Sequence, residues 1–444
     1  MEKNRIGIGA AQVHPLIARY MPMDGLDVVV DLEKSQGSQL YDAKTDQHYL
    51  DFLSFYGSNA LGFNHPRMIS KEVLEELGRV AVHKPSNSDI YSREMACFLD
   101  AFTRHATPDF MKHIFFIEGG ALGVENALKT AFDWKVQKNF SRGTKEEKGL
   151  KVIHFQQAFH GRSGYTLSLT NTSDPRKTQY FPKFDWPRIL NPKCTFPLEE
   201  ENLQQVQELE KKALAQIQAL LDRDSEDIAC LILEPIQGEG GDNYFRIEFH
   251  RELRRICDEN EILFIYDEVQ TGFGATGRMW AFEHYVQPDI LAFGKKSQVC
   301  GILANHRVDE VPDNVFRVSS RINSTWGGNL VDMVRCRLFL EIFEEEKLLE
   351  HCRQMGEVLM KELHQLKEEF PSKVSNIRGL GLFCAFDLPD TELREQFRQK
   401  LFEKRLLILP SGEHSIRFRT ALNLTEEELL QGIGIIREVL HKMT

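Results

Sequence analysis

From Val152 to about Phe293 short apolar runs alternate with longer amphipathic segments, which is how the strands and crossover helices of a mostly parallel sheet present themselves in a sequence. The runs HIFFI (113–117), KVIHF (151–155), ACLILE (229–234), ILFIYDE (262–268) and DILAF (289–293) predict strands. Each is short and β-rich, and ACLIL and ILFIY are apolar enough to be covered on both faces. Between them FRIEFHRELRRICDEN (245–260) has helical spacing and ends in a polar turn, which completes a βαβ unit. Residues 199–224 predict a second helix whose charges form a solvated face.

KNFSRGTKEEKG (138–149) reads as a polar surface loop. After the glycine-rich STWGGN (324–329) the spacing predicts a long helix over 331–370, broken around Glu344 to Lys347. The expected fold is therefore α/β, with a mostly parallel central sheet in a large domain at 76–330. A smaller α/β domain would be built from both termini, 1–75 and 331–444.

Composition supports two domains: 444 residues, 42% hydrophobic and 27% charged, exceed what one simple core usually fills. The net charge of -11 argues against a broad basic face for nucleic acid or anionic membrane, leaving small molecules or protein as partners. Eight cysteines without a C-x-x-C pair suggest neither a zinc site nor a disulfide framework, so no metal is expected and a reducing cytoplasm fits. The N-terminal MEKNRIGIGAAQVHP lacks the apolar core of an export signal, and no stretch approaches the ~18 apolar residues of a membrane span.

Two motifs fail on inspection. LFIYDE (263–268) resembles the magnesium strand of an ATPase, but GKKS at 294–297 has Asp289 where a phosphate loop needs its first glycine. GFGATG (272–277) has dinucleotide-loop spacing, yet Asp267, Glu268 and Gln270 separate it from its strand. A nucleotide-binding ATPase and a Rossmann oxidoreductase remain as remote alternatives.

More telling is what the strand ends carry. In a parallel sheet, ligands gather at the carboxyl ends of the strands. There the sequence places Gly119 and Gly120, Glu234, Asp267, and Gly294 followed by Lys295 and Lys296. A lysine able to bind an aldehyde covalently, with an acid to keep a ring nitrogen protonated, is what pyridoxal phosphate requires of a protein. EGGALGVENALKTAFDW (118–134) adds glycines opening a helix, whose free N–H groups and dipole attract phosphate.

With YDAKTDQHYLDFLSFYGSNALGFNHP (41–66), FHGRSGYTLSLTNT (159–172), LEPIQGEGG (233–241), DEVQTGFGATG (267–277), FGKKSQVCG (293–301) and NSTWGGN (323–329), the chain resembles the class III, fold-type I pyridoxal-phosphate aminotransferases over most of its length. FGKKSQVCG departs from the commoner family pattern, in which small residues and paired glycines follow the lysine.

The resemblance implies roles. Lys295 would hold pyridoxal 5'-phosphate covalently and carry the proton in catalysis, Lys296 having the weaker claim; Asp267 would pair with the pyridine nitrogen. Val269 and Phe159 would lie on the two ring faces and Gln270 would reach the phenolic oxygen, with His160 also in the cofactor set. Gly120 and Ala121 would bind the phosphate, and Thr325 would contact it from a neighbouring subunit, which implies a homodimer with shared sites.

For substrate, Arg162 would grip the carboxylate of an ω-amino acid and Arg417 the α-carboxylate of glutamate or 2-oxoglutarate. Glu239 would mask Arg417 in one half-reaction, while Tyr56 and Asn323 complete the substrate set. The implied activity moves the terminal amine of L-lysine to 2-oxoglutarate, giving 2-aminoadipate 6-semialdehyde, which cyclises to a piperideine carboxylate, and L-glutamate. Ornithine and 4-aminobutyrate are the rival donors.

Overall fold

In a computed structural model that describes residues 7–443, the predicted strands join one seven-stranded sheet. Its members in chain order are β1 (Met111–Ile117), β2 (Lys151–Phe155), β3 (Arg188–Ile189), β4 (Ile228–Leu233), β5 (Leu263–Asp267), β6 (Ile290–Phe293) and β7 (Cys300–Asn305). Across the sheet they run β1-β7-β6-β5-β4-β2-β3. Only β7 is reversed, pairing antiparallel with β1 and β6, so the carboxyl ends of the other six strands share one rim.

The twofold repeat of a strand decides what each face buries. Ile232 and Ile265 point to one side, where helix Gly120–Ser141 covers them with Val124, Leu128 and Ala131. Leu231, Leu233, Phe264 and Tyr266 point to the other, against Phe249, Leu253 and Ile256 of helix Ile247–Glu259. Every residue of β4 and β5 is buried, as their unbroken apolar letters require.

Two readings need correction. The segment 138–149 is not a loop throughout, because helix Gly120–Ser141 runs into it. Asn139 is buried, and its amide donates to the carbonyls of Lys148 at 2.9 Å and Glu226 at 2.8 Å, so polar residues here anchor a helix end rather than float in water. Strand β7 was not foreseen: Gly301 is its second residue, where an added Cβ would come within 2.1 Å of the Phe115 carbonyl oxygen and 2.9 Å of the Phe293 ring, so a residue of poor strand propensity is imposed by close packing.

The long helix breaks as expected, into Leu330–Glu345 and Leu348–Glu369, with Lys347 left-handed at φ 51° between them. Two small sheets flank the large one. One joins Gln39–Asp42, Gln47–Asp51 and Leu406–Leu407; the other joins Ser375–Leu380, Phe383–Asp387, Ser415–Arg417 and Leu409–Ser411. Among the described residues no helix is long and apolar enough to cross a membrane. Residues 1–6, part of the stretch read above for an export signal, lie outside the described residues.

Candidate active site

The rim at the strand ends is packed so tightly that backbone takes the place of side chains. Gly119 (φ 101°) turns the chain from β1 into helix Gly120–Ser141, whose first-turn N–H groups are left without intrahelical partners. A Cβ on Gly120 would lie 2.7 Å from Val269 Cγ1, and one on Gly294 would lie 3.0 Å from Cys300 Sγ. On the other side, a Cβ on Gly161 (φ 127°) would meet that of Ala121 at 2.6 Å. Helix start, FHGR loop and the ends of β5 and β6 thus pack against one another beside the free N–H groups of the helix, which attract an anion.

Beside it lies a buried polar pair. Asp267 Oδ2 stands 2.8 Å from His160 Nδ1, and Asp267 Oδ1 accepts from Val269 N at 3.1 Å. Among the described residues His160 Nε2 is buried without a partner. Glu234 accepts from Phe159 N at 2.9 Å and from Gly238 N at 3.0 Å, tying two rim loops together. Burial, above all, pushes this carboxyl up to about 7; the His160 imidazole opposes the shift and the Asp267 charge adds to it.

The adjacent lysines diverge. Lys295 (φ 54°) opens the turn Lys295–Ser297 and is half-buried, its Nζ 3.4 Å from the Tyr56 carbonyl oxygen. Burial lowers its amine to about 8, with the Arg417 and Arg419 guanidiniums acting in the same direction. Lys296 is buried and donates to the Thr420 carbonyl at 3.0 Å; burial again sets its value at about 8. Tyr56 belongs to a left-handed run with Ser54, Phe55 and Gly57, a conformation that turns its carbonyl toward Lys295.

Above the lysine two arginines arrive from the strand Ser415–Arg417 and its continuation. Gln270 Oε1 accepts from Arg417 Nη1 and Arg419 Nε, each at 3.0 Å, which leaves its amide nitrogen free to donate elsewhere. Arg417 Nη2 lies 3.2 Å from Glu239, and among the described residues Arg417 Nε is buried without a partner. Arg419 pairs with Asp242 and lies 3.4 Å over the Phe383 ring. Arg162 is exposed, 5.8 Å over the Phe159 ring, and among the described residues its guanidinium has no hydrogen bond or ion pair.

Most of the expected residues therefore converge on one crevice. Thr325 and Asn323 do not; both are exposed, the Thr325 carbonyl accepting from Ser86 Oγ at 2.5 Å and Asn323 Oδ1 from Ser324 N at 2.8 Å. Two participants were missed. Arg419 was legible, since in SIRFR alternate residues share a face and 417 and 419 must travel together. Lys177, which donates to Glu239 across 62 positions, had no signal.

Pyridoxal phosphate fits this donor set. The glycine-lined helix start suits its phosphate, buried Asp267 suits a protonated ring nitrogen, and an amine lowered to about 8 suits covalent attachment to an aldehyde. Comparison with known proteins agrees. The family model of class III aminotransferases matches residues 20–440. An L-lysine-epsilon aminotransferase of Mycobacterium tuberculosis is 49% identical over 98% of this chain and 96% of its own length. One from Streptomyces clavuligerus is 46% identical over 96% and 93%. A solved structure of a lysine aminotransferase from M. tuberculosis superposes with a TM-score of 0.96, at 49% identity, covering 98% of this chain and 100% of that one. The chain belongs to the class III aminotransferases and works with pyridoxal 5'-phosphate.

Proposed function

We propose that this enzyme transfers the terminal amino group of L-lysine to 2-oxoglutarate, giving L-glutamate and 2-aminoadipate 6-semialdehyde, which closes to a piperideine carboxylate with loss of water. The observation that carries the reading is the pair of carboxylate readers: Arg162 stands free while Arg417 is covered by Glu239. A distal amine and an α-amine would have to meet the same cofactor in alternate half-reactions, so one guanidinium has to be masked in one and bare in the other. The names borne by the relatives agree with this choice of donor.

Bound cofactor supplies an electron sink and a carrier for the amino group. Lys295 would anchor it covalently and, once freed, move the proton at the amino-bearing carbon, which an amine near 8 can do at neutral pH. Asp267, held by His160, would keep the ring nitrogen protonated; Gly120 and Ala121 would bind the phosphate. Val269 and Phe159 would flank the ring, and the free amide nitrogen of Gln270 would meet its phenolic oxygen. Arg162 would hold the lysine carboxylate, with Tyr56 near the α-amine.

We take the working unit to be a homodimer with shared sites, Thr325 and Asn323 reaching the partner. The exposed Ile90, Tyr91 and Trp326 around these loops favour that assembly. A cytoplasmic location accords with eight unpaired thiols. The test compares L-lysine, ornithine and 4-aminobutyrate as donors to 2-oxoglutarate with the holoenzyme. L-Lysine should give the highest kcat/KM, and a shorter amine outrunning it would replace the assignment.

A further inference from the structure

Glu239 is held from two sides. One carboxylate oxygen lies 3.2 Å from Arg417 Nη2 and the other accepts from Lys177 Nζ. The Arg417 side chain is 6% exposed while Glu239 and Lys177 are 23% and 24% exposed, so one cation meets the carboxylate from the interior and the other shares its partly solvated level. Lys177 ends the short turn Pro175–Lys177, and among the described residues its ammonium has no other hydrogen-bond or ion-pair partner. Burial works against charge on Glu239, yet Arg417 first and Lys177 after it hold the carboxyl below its usual range.

A mask that must be removed in every cycle poses a physical problem. If Arg417 were the sole partner, releasing it to a substrate carboxylate would strand an unpaired anion in a half-closed site, which is costly. A second cation already bound to the other oxygen lets the carboxylate turn outward without losing its charge compensation. We propose that Lys177 is a positioning residue for this gate, holding the released Glu239 aside while Arg417 takes the α-carboxylate of 2-oxoglutarate or glutamate. Lys177 thereby sets how readily the second substrate is accepted and contributes little to the first. This rests on the masking role of Glu239 proposed above.

Kinetics of the holoenzyme separate the two ideas. Glu239→Ala should shift the preference between L-lysine and L-glutamate as amine donors; if that preference stays unchanged, the masking role itself falls. Lys177→Met should raise KM for 2-oxoglutarate about fivefold, as loss of one partly exposed charge pair would, while kcat/KM for L-lysine changes by less than about twofold. Lys177→Arg should restore the lower KM, which also guards against loss through misfolding.

In the Glu239→Ala background Lys177→Met should have no further effect. If Lys177→Met raises KM for 2-oxoglutarate equally in that background, the lysine acts on the substrate directly and the inference fails. It fails as well if Lys177→Met leaves KM for 2-oxoglutarate unchanged in the otherwise native enzyme.

Discussion

Two neighbouring lysines of like burial chemistry have opposite surroundings. The Lys295 amine shares its crevice with Arg417, Glu239 and Asp267, whereas Lys296 turns away to the Thr420 carbonyl. Borohydride treatment should therefore fix the cofactor to Lys295, and Lys295→Ala should abolish the fixed label. Lys296→Met should keep the label while losing about 1–3 kcal/mol of stability, the range for removing a donor from a buried acceptor. A label on Lys296 in digested protein would reverse the assignment. Asp267 and Lys295 were legible in the sequence because each marks the end of a strand whose apolar run is unmistakable, Asp267 as its last residue and Lys295 one glycine beyond. Lys177 was not, because its contact joins two loops with no periodicity to relate them.

Elements on the rim are tolerant of little added volume. Gly120→Ala should weaken cofactor binding about tenfold, since its Cβ would press on Val269 Cγ1 at 2.7 Å and overpacking of this kind costs roughly 1–3 kcal/mol. Gly78→Ala, in helix Lys71–Ala81 with open space around it, is the control and should leave affinity unaltered. Equilibrium dialysis of the cofactor measures both, and equal affinities would show that the helix start does not carry the phosphate. Strands β4 and β5 were readable because burial on both faces forces continuous apolar letters. Strand β7 was not, because Gly301 and Asn305 are dictated by what lies against them in space: the Phe293 ring and, at 3.0 Å, the Asp289 carboxylate.

Across the whole molecule, buried ionisable groups set the response to acid. Burial lowers His154 and His250 from 6.5 to about 3, so below pH 6.5 the unfolded chain takes up protons that the folded one refuses, and stability drops. Glu234 and Glu268 act oppositely: burial raises them from 4.5 to about 7 and about 8, so from there down to pH 4.5 the folded chain holds more protons and gains. Between about 6.5 and 4.5 the two effects oppose each other; below 4.5 only the imidazole loss continues, joined by the ion-paired carboxylates. The midpoint of urea unfolding should thus change little from pH 6.5 to 4.5 and fall steeply below. A steady decline from 6.5 would mean that the two glutamates are ionised inside the fold.

Glu239 and Arg417 ride on different sheets, the first beyond β4 and the second on Ser415–Arg417. Were Glu239 to swing aside as proposed, its loop would stay fastened to that second sheet by Gly412 N donating to the Glu239 carbonyl at 2.9 Å, by the Ser411 hydroxyl on Asp242 at 2.7 Å and by the Arg419–Asp242 pair. The keto acid would therefore meet the same framework as the diamine does, with a single carboxylate displaced. Recognition of the second substrate would thus be confined to side-chain rotation, leaving the two sheets seated.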